Sequence, residues 1–362
     1  MESKLTGLQL YAMMLVFLLG TSIIYGTPRL VPDSWLIDIA AIVPYLLLTG
    51  IYLALFWTGC DRNLYELLVA AWGKHFGKLF ALGYSVYFLY IASRNLRDMV
   101  ELILTALLRN TPSFVIVLAF VGIVAYAACG GIIALGRLSI LIAGMVLFFF
   151  VVLTCLLYFS DSIDLERVLP FLSEGLGAVA GASLRSSIWF PYGEVLVFLA
   201  FGSSLGGAKT LRKIGLFSLL SATAILSFSN LLQTSVLGIE NMKYSVFALL
   251  DAARLINIEN FITRMDALVA FIIIFGVIVK SAIFLYASAK GAEFLFGSDW
   301  RGFAPSLALL IGALSIKVSR NNAEHVSEGL VYAIYWLHIP FQLAIPLATL
   351  LLLRLRLNHK EA

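Results

Sequence analysis

Charge is what this chain has least of for its length: Asp, Glu, Lys and Arg together make up 13% of 362 residues, against 61% hydrophobic. Soluble domains carry about 25% charged residues, so a water-solvated globule is excluded and lipid is the solvent for most of the chain. Cysteine is scarce as well. Cys60, Cys129 and Cys155 have neither pairing nor metal-type spacing and read as packing residues, so neither a disulfide framework nor a metal centre is expected. With no phosphate-cradling glycine loop, zinc motif or hydrolase elbow, the sequence predicts no enzyme, no cofactor and no nucleic-acid partner. A small-residue cleavage site after the polar lead 1–7 is missing too, and the first apolar segment is expected to stay in the mature protein.

What the chain has instead is apolar runs of roughly 20 residues, each long enough to cross ~30 Å of hydrocarbon as a helix. Helices are required there because an unpaired backbone group in hydrocarbon costs several kcal/mol. The pattern predicts an all-α integral membrane protein of about ten spans, near 8–28, 37–57, 79–108, 113–130, 138–159, 183–204, 212–236, 263–288, 303–318 and 330–353. All 362 residues read as one transmembrane domain. One set of loops carries most of the basic residues, including Lys4, Arg62, Lys74, Lys78, Arg137, Lys209, Arg212, Lys213, Lys290 and Arg301. The opposite set carries Asp161, Asp164, Glu166, Asp251 and Glu259, so both termini are expected in the cytoplasm. Two external connections, 160–182 and 238–262, are too long for simple turns and are expected to carry short amphipathic helices, limited in the first to a short piece by Pro170 and its glycines. Within the second, apolar and polar positions alternate at helical spacing from Ser245 onward, predicting a short amphipathic helix on the bundle surface.

Two apolar segments contain their own interruptions. The first holds Gly20-Thr21-Ser22-Ile23-Ile24-Tyr25-Gly26-Thr27-Pro28, where glycines and a downstream proline weaken the helical ladder. The sixth holds Phe190-Pro191-Tyr192-Gly193-Glu194 near its middle, where proline removes an amide donor. Breaks in the first and sixth of ten spans match a five-plus-five inverted repeat, 1–159 and 183–353, with corresponding helices broken at the membrane midplane. Exposed half-helix ends then offer amides to a carboxylate and carbonyls to an ammonium group. Simple kinking is the alternative, since glycine and proline are common in membrane helices.

Ionisable residues inside apolar segments are expensive and mark interior cavities or pathways. The third segment carries Arg94, Arg97, Asp98 and Glu101, in which Arg94 with Asp98 and Arg97 with Glu101 are spaced i,i+4 and can neutralise each other. They form either a structural ladder or an ion or proton pathway, with Tyr87 and Tyr90 below. Glu194 either caps the amides freed at the break or contacts a ligand or proton. Lys280, beside Ser281, lies too deep to snorkel; it stands in for a bound cation or pairs internally, possibly with Glu194. Arg185 is expected near the external surface, and His338 as a packed or hydrogen-bonded histidine.

With these residues in place, the chain resembles the B subunits of bacterial spore germination receptors, a branch of the amino acid/polyamine/organocation transporter superfamily with a LeuT-like fold. Gly20-Thr21-Ser22-Ile23 with Pro28 is similar to the superfamily's first-helix break. Gly73-Lys74-x-x-Gly77-Lys78, Arg97 with Glu101, Thr111-Pro112, the 126–132 string through Gly136-Arg137, the Phe190–Glu194 break and Phe261-Ile262-Thr263-Arg264-Met265-Asp266 carry the resemblance to the spore branch. It implies a multi-pass subunit of the inner spore membrane that works with an A subunit and a lipoprotein C subunit and detects germinants such as amino acids or sugars. A ligand, expected to be a small amino acid, would bind at Gly20, Thr21, Ser22, Gly26, Tyr192, Gly193, Glu194 and Ser281, with Lys280 behind them and Pro28 and Pro191 breaking the helices. Ser22 stands where the superfamily often has a second glycine, which leaves less room and favours a small ligand. Two other readings stay open: a proton-coupled amino-acid importer using the same pocket, and a scaffold or ion and water conduit without nutrient binding.

Overall fold

Thr6 opens the first helix: its hydroxyl accepts from the Gln9 amide at 3.3 Å while the Gln9 side chain accepts from the Thr6 amide at 2.9 Å. This reciprocal cap satisfies two of the amides left free at a helix start. The helix runs over Gly7–Leu19 and stops at Gly20, after which only a single turn, Ser22–Tyr25, follows. The structure, a computed structural model, describes residues 4–25, 31–59, 62–258, 262–263 and 265–361. Gly26 and Pro28, both expected at the first interruption, lie outside the described residues.

Among the described residues, six helices are long and apolar enough to cross a membrane: Ser34–Thr58, Lys74–Ala106, Gly131–Phe159, Ala208–Leu237, Asp266–Phe296 and Glu324–Arg356. Gly7–Leu19, Ser113–Cys129 and Tyr192–Gly202 are shorter apolar helices, and Trp300–Lys317 adds one more of 18 residues. Burial sorts them into inner and outer positions. The most apolar stretch of Asp266–Phe296 is 78% buried against 33% for Ser34–Thr58 and Gly131–Phe159, so the first is the central post and the other two present apolar side chains outward. Cys155 follows from this: it is exposed on the outer Gly131–Phe159 helix, whereas Cys129 is half-buried, so the packing role expected of Cys155 is corrected. Cys60 lies outside the described residues.

Several boundaries differ from expectation for identifiable reasons. Asn63 and Glu66 form a second reciprocal cap, 3.0 Å each way, and start the amphipathic helix Leu64–Trp72 in what the apolar pattern leaves as a connection. Gly73, at φ +81, turns the chain directly into Lys74–Ala106, five residues before the expected start at 79. Gly77 then lies against the backbone of Val69 and Leu68; a Cβ there would be 2.4 Å from Val69 Cα. The sixth segment is corrected most. An α-helix, Gly175–Arg185, begins inside the expected 160–182 loop, irregular turns occupy residues 186–191, and Tyr192–Leu205 is wound as a 3₁₀-helix with a kink at Gly202. The break therefore separates two helices instead of interrupting the middle of one.

In the 238–262 connection two short helices form, Ile239–Tyr244 and Ala248–Arg254, followed by an antiparallel pair of Asn257–Ile258 with Ile262–Thr263. The last helix, 322–361, is continuous and widens to π winding over Glu328–Tyr332 and Ile334–Ala344.

Candidate functional site

Gly20 and Gly276 let the first helix and the central post touch at backbone distance, since a Cβ on Gly276 would stand 3.4 Å from Gly20 Cα. Small residues at such crossings are how membrane helices approach closely. One turn further along the post, the Lys280 side chain fills the gap beside Gly20, where an added Cβ would meet Lys280 Cδ at 2.8 Å. Lys280 Nζ lies 2.6 Å from Glu194 Oε2, with the two side chains 0% and 2% exposed. The ammonium also sits over the rings of Phe190 at 4.6 Å and Phe17 at 5.2 Å. Both interrupted segments thus meet at one buried ion pair, and of the sequence alternatives for Lys280 the internal pair with Glu194 is the one formed.

Hydrogen-bond direction around this pair is fixed by chemistry. An ammonium only donates, so Lys280 donates to Thr21 Oγ1 at 3.4 Å, and Thr21 in turn donates to Asn95 Oδ1 at 3.3 Å. The Asn95 amide nitrogen is left buried without a partner among the described residues, as are the hydroxyls of Ser22 and Ser281. Each neighbours a member of the Lys280–Thr21–Asn95 chain in sequence or by hydrogen bond. Buried polar atoms left unsatisfied cost about 1–3 kcal/mol each, and three of them lie on Asn95 and on the sequence neighbours of Thr21 and Lys280.

Tyr192 is directed elsewhere: its hydroxyl bonds Thr223 at 2.8 Å and its ring packs on Tyr45 at 5.3 Å. Gly193 faces the last helix, where a Cβ would come within 2.0 Å of Gln342 Oε1 and 2.9 Å of the Ile188 carbonyl. Gln342 belongs to a buried network. Its amide nitrogen donates to Tyr87 at 2.8 Å and lies 2.9 Å from His338 Nδ1, which is also 2.8 Å from the Tyr87 hydroxyl. His338 is hydrogen-bonded, as expected. Where the last helix is widened, outside donors reach its carbonyls: Tyr52 donates to the Gln342 carbonyl at 2.8 Å, with the Gly193 carbonyl of Tyr192–Leu205 at 3.3 Å, and Tyr84 donates to the Phe341 carbonyl at 2.7 Å. Tyr52→Phe is expected to lower stability by about 1 kcal/mol, read as a lower melting temperature in detergent with helix content unchanged.

The charged string of Lys74–Ala106 pairs differently from its spacing. Arg97 does bond Glu101. Arg94, however, turns from Asp98 to the start of the last helix, donating to the His325 carbonyl and lying 3.9 Å from Glu328. Asp98 Oδ1 takes His325 Nε2 at 2.6 Å. The i,i+4 expectation for Arg94 and Asp98 is therefore corrected, because partners on a second helix bind both ends more completely. Beyond Lys280 in the other direction along the post lies a file of buried rings: Phe17–Phe198 at 5.4 Å, Phe198–Phe201 at 5.7 Å, Phe201–Tyr286 at 5.5 Å and Tyr286–Trp300 at 4.8 Å. Such ring pairs contribute about 0.5–1.5 kcal/mol each beyond area burial.

Sequence reasoning did not single out Asn95, His325, Gln342 or Thr223. A lone amide within an apolar run was the available signal for Gln342, Asn95 was masked by the charges on either side of it, and His325 fell in a stretch read as a connection.

Comparison with known proteins adds a family. A family model described as spore germination protein matches residues 4–325. Spore germination protein KB of Bacillus subtilis (strain 168) is 28% identical over 350 residues, covering 96% of this chain and 93% of that protein. Spore germination protein B2 of the same organism is 22% identical over 271 residues, 73% of this chain and 72% of the relative. Spore germination protein A2 is 33% identical over 138 residues, 38% of this chain and 37% of the relative.

Proposed function

The chain belongs to the spore germination protein family, and from that premise we propose that it is the nutrient-sensing subunit of a germination receptor, binding a small amino acid at the Glu194–Lys280 pair. The observation that carries this reading is the pair itself, buried where two interrupted helices meet and flanked by three unsatisfied polar atoms. A zwitterion is the ligand class that suits it. Separating two buried charges leaves each uncompensated at a cost of several kcal/mol. An incoming ammonium replaces Lys280 at Glu194 while its carboxylate replaces Glu194 at Lys280, so no charge is stranded. The Asn95 amide and the hydroxyls of Ser22 and Ser281 supply further donors, and Thr21 links them.

In this reading the chain has ten spans, Gly7–Leu19 and Tyr192–Leu205 being the broken first members of two inverted sets of five. Both termini are cytoplasmic in the inner spore membrane, and A and C subunits are the partners that read the change. Signalling follows from differential affinity: a ligand that binds better with the pair exchanged shifts the population toward that state. The test uses spores lacking this gene, complemented with the wild type or with Glu194→Gln/Lys280→Met, which is neutral and keeps the site filled. The double variant is expected to reach wild-type levels in the membrane fraction and to give no germination response to any proteinogenic L-amino acid that triggers the wild type. An unchanged response from the double variant would overturn the proposal.

A further inference from the structure

The Glu194–Lys280 pair is sealed by two layers of opposite character. On one side, Asn95 is level with Thr21, and Asp98 follows three residues later, about 4.5 Å of helical rise. At this end, where the buried apolar helix Ala248–Arg254 also packs on Ser22–Tyr25 and Asp266–Phe296, that layer joins the Lys74–Ala106 helix to the head of the last helix, through Asp98 with His325 and Arg94 with Glu328 and the His325 carbonyl. The groups of this layer are polar, and His325 Nδ1 and Arg97 Nε are buried without a partner among the described residues. On the other side, Tyr286 lies six residues beyond Lys280, about 9 Å, in the ring file that ties together four elements: Gly7–Leu19, Tyr192–Leu205, Asp266–Phe296 and Trp300–Lys317.

We propose that the polar layer is a clasp that opens to admit the ligand and that the ring file is a fixed plug, so the site communicates with one membrane face only. This rests on the binding reading above. Opening the clasp exchanges protein hydrogen bonds for water hydrogen bonds almost one for one. Parting the rings exposes apolar surface with nothing to replace the lost contacts. The hinge is also on the clasp side. Gly329 lies flat against the Arg94 guanidinium, where a Cβ would be 2.4 Å from its nitrogen, and the π winding that begins at Glu328 is the kind of irregularity that marks functional bends. The segment 322–327 can swing away while the rest of the last helix holds its bonds to Tyr52, Tyr84 and Tyr87. Opening on one face alone describes a receptor and disqualifies an importer, which must open on both.

The experiment places a reporter at the site, Ser22→Cys, in a full-length chain with Cys60, Cys129 and Cys155 changed to serine. Sealed proteoliposomes are exposed to a membrane-impermeant cationic methanethiosulfonate on one face at a time. Asp98→Asn/His325→Gln is expected to speed labelling on the order of tenfold from the face bearing the 318–321 turn, with no change from the other. Glu328→Gln, at a half-exposed position, is the milder variant should the double change fail to fold, and is expected to act in the same direction about threefold. No acceleration in a folded variant, or equal acceleration from both faces, would overturn the clasp. Adding each proteinogenic L-amino acid to the Ser22→Cys protein separates the two claims. If none slows labelling while the clasp variants still speed it from one face, the binding reading falls and the one-sided seal stands.

Discussion

Lys280→Met is expected to destabilise the protein by about 3–5 kcal/mol, because it leaves the Glu194 carboxylate charged and buried with its partner gone. Lys280 and Glu194 are 0% and 2% exposed and 2.6 Å apart, so neither has a solvent route that softens the loss. Glu194→Gln/Lys280→Met removes both charges and is expected to recover most of that stability, since exchanging a buried ion pair for neutral groups of similar volume is often close to neutral. Melting of the four proteins, the two single variants, the double variant and the wild type, in lipid nanodiscs gives the coupling energy directly. A coupling below about 1 kcal/mol would mean that water reaches the pair, as it does at exposed bridges.

The second large effect is expected at Gly77. An added Cβ meets Val69 Cα at 2.4 Å and the Leu68 carbonyl and Val69 amide nitrogen at 2.8 Å. All three are backbone atoms, so no rotamer change relieves the contact, and Leu64–Trp72 must part from Lys74–Ala106. Gly77→Ala is expected to cost about 3 kcal/mol, at the upper end of overpacking, read as lost melting temperature and faster proteolysis between residues 59 and 74. Gly50 and Gly122 are the internal controls. Nothing lies within 4 Å of a Cβ at either, and both sit in helices, so alanine there is expected to be neutral or stabilising by up to about 1 kcal/mol.

Helix type and the two interruptions were legible because hydrocarbon leaves the backbone few alternatives: apolar length fixes a span, and Gly20 and Pro191 mark where its ladder fails. Connections were less legible. Leu64–Trp72 is too short to register as a span, and it is stabilised by the Asn63–Glu66 cap and by tertiary contact at Gly77, which no periodicity encodes. The start of the sixth segment was misplaced for a related reason, since six of the eleven residues of Gly175–Arg185 are glycine or alanine and dilute its apolar signal. In the site, the depth of Lys280 and Glu194 was readable from sequence, and their pairing stood as one of two alternatives. The partner of Asp98 was not. Spacing along one helix ranks Arg94 first, whereas His325 comes from more than two hundred residues away and is brought in by topology.

The short helix Leu64–Trp72 is bound on two flanks. Gly77 presses it against the Lys74–Ala106 helix without an intervening side chain, while Trp72 donates to Thr349 at 2.9 Å and Arg356 donates to the Ala70 carbonyl at 3.0 Å, both from the last helix. It therefore works as a crossbar between two uprights. At its own level the bar fixes the distance between the two helices, so a change at the head of the last helix stops short of this end.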